Sequence, residues 1–171
     1  MYFKYIFIIT LLVFTGCSRK PLNVIFLEKS QKYNVSHKTL NAICKVESNH
    51  NENVINVNKS LFNIQQGPHY FSSAFKANLY MDYVLDPILL NYDIGICQIN
   101  KQHLKRLNLD NEELLDRELN IDIAAKIYKY NLNKCNNNRT CALSMYNTGY
   151  ANSTKGKRYA QKVLRARKRL R

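Results

Sequence analysis

A chain of 171 residues, 46% of them hydrophobic, has the length of one domain and enough apolar surface to bury a real core. No internal repeat or low-complexity segment appears, which excludes a repeat array or a disordered tether as the main architecture. The formal charge of +14, from 26 basic against 12 acidic residues, is unevenly placed and gathers at the C-terminal end.

The first segment is set apart by composition. Ile6 to Phe14 is almost wholly apolar and follows Lys4. It is too short to span a bilayer comfortably but suits the hydrophobic core of a secretory signal over residues 1–16. The stretch Val13-Phe-Thr-Gly-Cys17 resembles a bacterial lipoprotein signal. That resemblance implies lipidation of Cys17, which becomes the mature N-terminus, and so a membrane partner reached through a lipid anchor. Ser18 after the cysteine points by analogy to the outer membrane and a periplasm-facing domain.

Residues 18–35 read as a lead-in that turns from polar to apolar. The first predicted helix spans Ser36 to Ser48. Ser36 is an N-cap candidate, and Leu40, Ile43, Cys44 and Glu47 recur at i, i+3, i+4 and i+7. Glu47 thus puts an acid where the interior-facing stripe calls for an apolar side chain. The helix's C-terminal dipole and partial burial both disfavour its charge, which suits a general acid. The alternative is a glutamate at a frayed helix end, facing water. Residues 52–92 are the least regular, with turn signals at Gly67-Pro68 and Asp86-Pro87 and a weak helical pattern from Phe71 to Leu85.

Asp110 and Asn111 lead into a short helix through Leu114 and Leu115, and Asn120 is read as the cap of a longer one carrying Ile121, Ala124, Ala125, Tyr128 and Leu132. A helix from about Thr140 to Tyr146 is expected to stop near Gly149. The last starts near Lys157, with Tyr159, Val163, Ala166 and Leu170 on one side. Alternating strand patterns are nearly absent, so the fold class is mainly α. Residues 165–171 form a basic C-terminal tail.

Export changes the meaning of the other four cysteines. Cys44, Cys97, Cys135 and Cys141 allow three pairings. Cys135 and Cys141 flank the polar loop 136–140, and a bridge there would add about 2–3 kcal/mol. Cys44 with Cys97 is the remainder, as a bridge or as two buried thiols. No Cys-x-x-Cys pair or nearby His suggests zinc, so no metal site is expected.

Three separated pieces carry chemistry: Val46-Glu47-Ser48; Tyr92-Asp-Ile-Gly-Ile-Cys-Gln-Ile-Asn100; and Ala142-Leu-Ser-Met-Tyr-Asn-Thr-Gly149 followed by Tyr159-Ala-Gln-Lys-Val163. In this order, over residues 30–165, they resemble the lytic transglycosylases of the soluble lytic transglycosylase (SLT) type. The likeness is greatest to the small exported branch that accompanies secretion, conjugation and pilus systems. The resemblance implies a lysozyme-like α-rich (α+β) fold and cleavage of the β-1,4 bond between N-acetylmuramic acid and N-acetylglucosamine. Glu47 takes the place of the single catalytic acid/base. Gln98, Tyr146 and Asn147 match substrate-groove positions, with Ser48, Gly95 and Tyr159 in support. The implied partners are peptidoglycan glycan strands and an envelope-spanning secretion or pilus machinery, and no cofactor is needed. Cys97 stands where the family usually has Met. The 48 residues from Glu47 to Gly95 are about twice the family's usual spacing, which suggests an added lobe or flap at about 61–91.

Ordinary glycosidases need two carboxyls. Besides Glu47, only Asp93 falls in a matched segment, where an aspartate before glycine more often stabilises a turn. A one-carboxyl mechanism removes the need for it. The histidines at 37, 50, 69 and 103 receive no role. Three rival functions remain: a goose-type lysozyme-like hydrolase of the same bond, a non-catalytic wall-binding component of a secretion assembly, and a nucleic-acid binder built on the basic tail. The last is disfavoured by the export signal and by the lack of a nucleic-acid-binding motif, so no nucleic acid is expected as partner.

Overall fold

The computed structural model describes residues 19–170, so the expected signal segment and Cys17 lie outside the described residues. Among the described residues seven α-helices accompany a small sheet. Helices α1 (Leu22–Tyr33) and α2 (His37–Ser48) come first, followed by strands β1 (Val54–Val57) and β2 (Gly67–Tyr70). Helix α3 (Ala74–Tyr80) runs on into a π-turn over Met81–Leu85. Strands β3 (Tyr92–Ile94) and β4 (Ile99–Asn100) precede α4 (Gln102–Leu107), α5 (Arg117–Lys134), α6 (Arg139–Thr148) and α7 (Thr154–Arg169).

Helix ends follow local chemistry. Ser36, Ser73, Asp116, Asn138 and Ser153 each accept a backbone N–H from the first turn they precede. Asn34, Asn49 and Asn108 adopt the left-handed conformation that closes a helix, as Gly149 does after α6. The α2 and α6 readings hold. The lead-in is instead the helix α1, whose burial rests on Ile25, Phe26 and Ser30. Asn120 is not a cap: Asp116 caps α5, and Asn120 lies one turn inside it, fully buried. Helix α7 begins at Thr154, three residues before the expected start, and absorbs most of the supposed tail.

α2 is the central helix. Its Leu40 and Cys44 join the cluster formed with α1, the sheet, α3 and α5, while Ala42 and Ile43 join a second cluster with Tyr128, Leu143, Tyr159 and Val163. The sheet is antiparallel in the order β2-β1-β3-β4. Its strands are two to four residues long, too short for an alternation signal in the sequence. Residues 61–91, expected as an added lobe or flap, are continuous with the rest of the domain. β2 extends the sheet, and Ala77, Met81, Leu85 and Leu90 are buried in the main core. Both disulfides are formed, Cys44–Cys97 and Cys135–Cys141.

Candidate active site

The sheet register aligns one row across all four strands, polar on β1, β3 and β4. Pro68 faces Asn56, Asn56 faces Asp93, and Asp93 faces Asn100. Directly opposed residues share a face, so this row lies on one side while Ile55, Ile94 and Ile99 point to the core. Above the row lies a pocket of about 230 Å³ lined by Glu47, Asn56, Asn58, Pro68, Tyr70, Asp93, Gln98, Asn147 and Lys155. Three of the predicted residues, Glu47, Gln98 and Asn147, are brought together here.

The turn between β3 and β4 is pinned from three helices. Asn120 donates to the Ile94 and Leu114 carbonyls at 2.9 and 2.8 Å and accepts the Cys97 N–H at 2.9 Å. Ser48 donates to the Ile96 carbonyl at 2.7 Å, and Tyr146 Oη to the Cys97 carbonyl at 2.9 Å. The Cys44–Cys97 bridge ties the same turn to α2, one turn before Glu47. Gly95 has a φ of +78°, and a Cβ there would sit 2.6 Å from Asn120 Nδ2, so no other residue fits unstrained. Gln98 is itself left-handed at φ 52°; its amide nitrogen donates to the carbonyls of Gly95 (2.8 Å) and Val54 (3.2 Å). Ser48, Gly95 and Tyr146 are therefore placed behind the pocket, shaping it, and are not among its lining residues.

Glu47 is half-buried at the end of α2, and Tyr159 Oη donates to its Oε1 at 2.6 Å. Desolvation pushes the carboxyl up to about 8; the Tyr159 bond opposes that rise and the nearby charge of Asp93 adds to it. Asp93 is also raised by burial, against hydrogen bonds that favour its charge, from Asn100 Nδ2 at 2.7 Å, from Asn58 and from Asn56 Nδ2 at 3.4 Å, and against the field of Lys155. Two carboxyls with different partners thus share one polar pocket. Tyr146 and Tyr159 are held well above the usual tyrosine value, first by burial. Among the described residues no three His, Cys, Asp or Glu side chains gather as a metal site.

Sequence reading missed Asn56, Asn58, Pro68, Tyr70 and Lys155. Four of them reach the pocket through strand pairing or the loop beside it, and Lys155 reaches it from the first turn of α7.

The sequence model of the family described as Transglycosylase SLT domain matches residues 24–167. The chain belongs to this family, whose members are lytic transglycosylases and whose substrate is peptidoglycan. No curated protein matches the chain.

Proposed function

We propose that this protein is a peptidoglycan lytic transglycosylase that cleaves the β-1,4 bond between N-acetylmuramic acid and N-acetylglucosamine. The observation that carries this reading is Glu47, an acid raised to about 8 by burial at the wall of a polar pocket. At neutral pH it holds a proton, and with Oε1 accepting from Tyr159 that proton rests on Oε2. Glu47 donates it to the glycosidic oxygen. The C1–O bond breaks and the N-acetylglucosamine end leaves as an alcohol, while the muramic acid's own N-acetyl group supports C1. Ionised Glu47 then takes the proton of the same sugar's C6 hydroxyl, O6 bonds to C1, and the 1,6-anhydro ring closes without water. In this scheme Asn147 holds the sugar through its amide and Gln98 through its amide oxygen, its nitrogen being taken by Gly95 and Val54, while Ser48, Gly95 and Tyr146 fix the turn beneath it.

A hydrolytic reading of lysozyme character is favoured by one observation: Asp93 shares the pocket, where a second carboxyl can serve as nucleophile or base. Mass spectrometry of muropeptides released by the purified domain separates the two. Anhydro-muramyl ends support the transglycosylase, reducing ends the hydrolase, and no release a non-catalytic wall-binding role.

The cellular setting completes the proposal. Lipidation of Cys17 would hold the domain at the outer membrane facing the periplasm, where local wall opening serves an envelope-spanning secretion or pilus machinery. Labelling cells with a radioactive fatty acid tests the anchor: a Cys17→Ala variant that still takes up label excludes it.

A further inference from the structure

The wall of the pocket formed by Pro68 and Tyr70 comes from β2, which lies inside the segment 61–91 that lengthens the chain between Glu47 and Gly95. The strand's pleat decides which side chains arrive there. Pro68 opposes Asn56 and Tyr70 opposes Val54, so both share the face of the Asn56–Asp93–Asn100 row. His69 points the other way, its ring 5.3 Å from that of Tyr80 and its Nε2 3.0 Å from the Gln65 carbonyl. That contact favours the register, since a one-residue slip would exchange His69 and Tyr70. Pro68 lacks an N–H, which suits this edge strand and blunts it against further strand pairing.

Tyr70 is 62% exposed and makes no hydrogen bond or ring contact among the described residues. Exposed tyrosines are ordinary when scattered. Tyr70 differs from Phe75 and Tyr83, which are also exposed, because it lines a pocket whose other walls are Pro68, amides, carboxylates and one lysine. Such a lining matches a pyranose, whose hydroxyl edge needs amides and carboxylates and whose C–H face meets the negative face of an aromatic ring.

We propose that the inserted strand supplies a sugar subsite beside Glu47, with the Tyr70 ring as a stacking platform for one pyranose of the glycan. The inference rests on the glycan reading above and specifies which part of the chain grips the strand. The platform binds substrate and transition state alike, so it acts on KM.

The chain contains no tryptophan, which makes a direct test available. Tyr70→Trp in a Glu47→Gln background places a single indole at the platform of a protein that cannot turn over. Titration with soluble N-acetylglucosamine oligomers and with purified wall glycan fragments is expected to change its emission, saturating at the Kd measured by calorimetry. Heat of binding without an emission change would overturn the platform and leave the glycan reading intact. No binding of either probe by calorimetry would overturn both. In the active protein, Tyr70→Ala is expected to raise KM about three- to tenfold while kcat holds, and Tyr70→Phe to recover most of that loss. A Tyr70→Ala KM equal to wild type would also sink the proposal.

Discussion

Tyr159 Oη donates to Glu47 Oε1 at 2.6 Å, joining side chains 112 residues apart. The contact fixes the acid against α7, and it favours the ionised carboxylate while burial favours the neutral acid. Tyr159→Phe removes the donor and keeps the ring that packs in the second core cluster. Glu47 is then raised further, so the alkaline limb of the kcat/KM profile moves to higher pH. Loss of orientation lowers kcat by about 10- to 100-fold, the worth of a hydrogen bond to a charged group. A kcat and limb both equal to wild type would show that the bond does not act on the acid.

Glu47→Gln is expected to abolish activity and alter stability in a pH-dependent way. The folded carboxyl sits at about 8 against 4.5 for the free group. It therefore binds more protons folded than unfolded across that window, and stability falls as pH rises through it. The amide has no such dependence. Urea unfolding is expected to show wild type losing on the order of a few kcal/mol relative to Glu47→Gln from the lower to the upper end of that range. Parallel stability curves would mean that the carboxyl is ordinary and the acid assignment unsupported.

Asp93→Asn keeps the shape of the polar row and removes one charge. With less negative field nearby, Glu47 falls, and the alkaline limb of activity moves to lower pH. Under the one-carboxyl mechanism the rate drops by roughly tenfold at most and the products keep anhydro ends. A loss of about a thousandfold with the fold preserved would make Asp93 a catalytic carboxyl and favour hydrolysis.

The cysteine bridges differ in what they hold. Cys44–Cys97 closes a separation of 53 residues and Cys135–Cys141 one of 6, so chain entropy assigns them about 4 and about 2 kcal/mol. The double change Cys44→Ser, Cys97→Ser is expected to lower Tm by roughly 10 °C, more than the corresponding change at 135 and 141. It also leaves the turn carrying Gln98 tied to α2 only by the Ser48 bond to Ile96, so kcat/KM falls even at temperatures where the variant is folded. A greater effect at 135 and 141 would reverse the assignment of which bridge secures the site.

What the sequence revealed of this site follows from how each residue reaches it. Glu47, Gln98 and Asn147 sit in contiguous segments whose order carries the resemblance, so sequence alone marked them as candidates, and the three line one pocket. Asn56, Pro68 and Tyr70 arrive through the pairing of four-residue strands, and register is not written in windows that short. Asn120 misled because Asn is a common cap; the cap is Asp116, and burial of Asn120 is explained by the Ile94 and Leu114 carbonyls and the Cys97 N–H that it satisfies. Helix α1 was lost because Val24, Ile25, Phe26 and Leu27 run together and give no helical period, with two buried and two facing out. The mainly α class was legible nonetheless, because the longer helices carry their own caps and stripes.

The basic end of the chain is a helix surface. Lys162, Arg165, Lys168 and Arg169 are exposed on α7, none of them in an ion pair among the described residues, whereas Ala166 and Leu170 pack against the second core cluster. Deleting residues 165–171 would therefore remove packing together with charge, and the cleaner test is Arg165→Gln, Lys168→Gln and Arg169→Gln together. If these charges draw the protein to an anionic wall polymer or lipid headgroup, the attraction weakens with salt over a screening length of about 10 Å at 0.1 M. Sedimentation of the triple variant with purified cell walls is expected to fall at low salt and to match wild type at high salt. Its rate on a short soluble glycan is expected to stay near wild type, because the three side chains lie outside the pocket. A large loss of that rate with wall binding untouched would show that the end of α7 acts on the site through Tyr159, and the surface-attraction reading would fail.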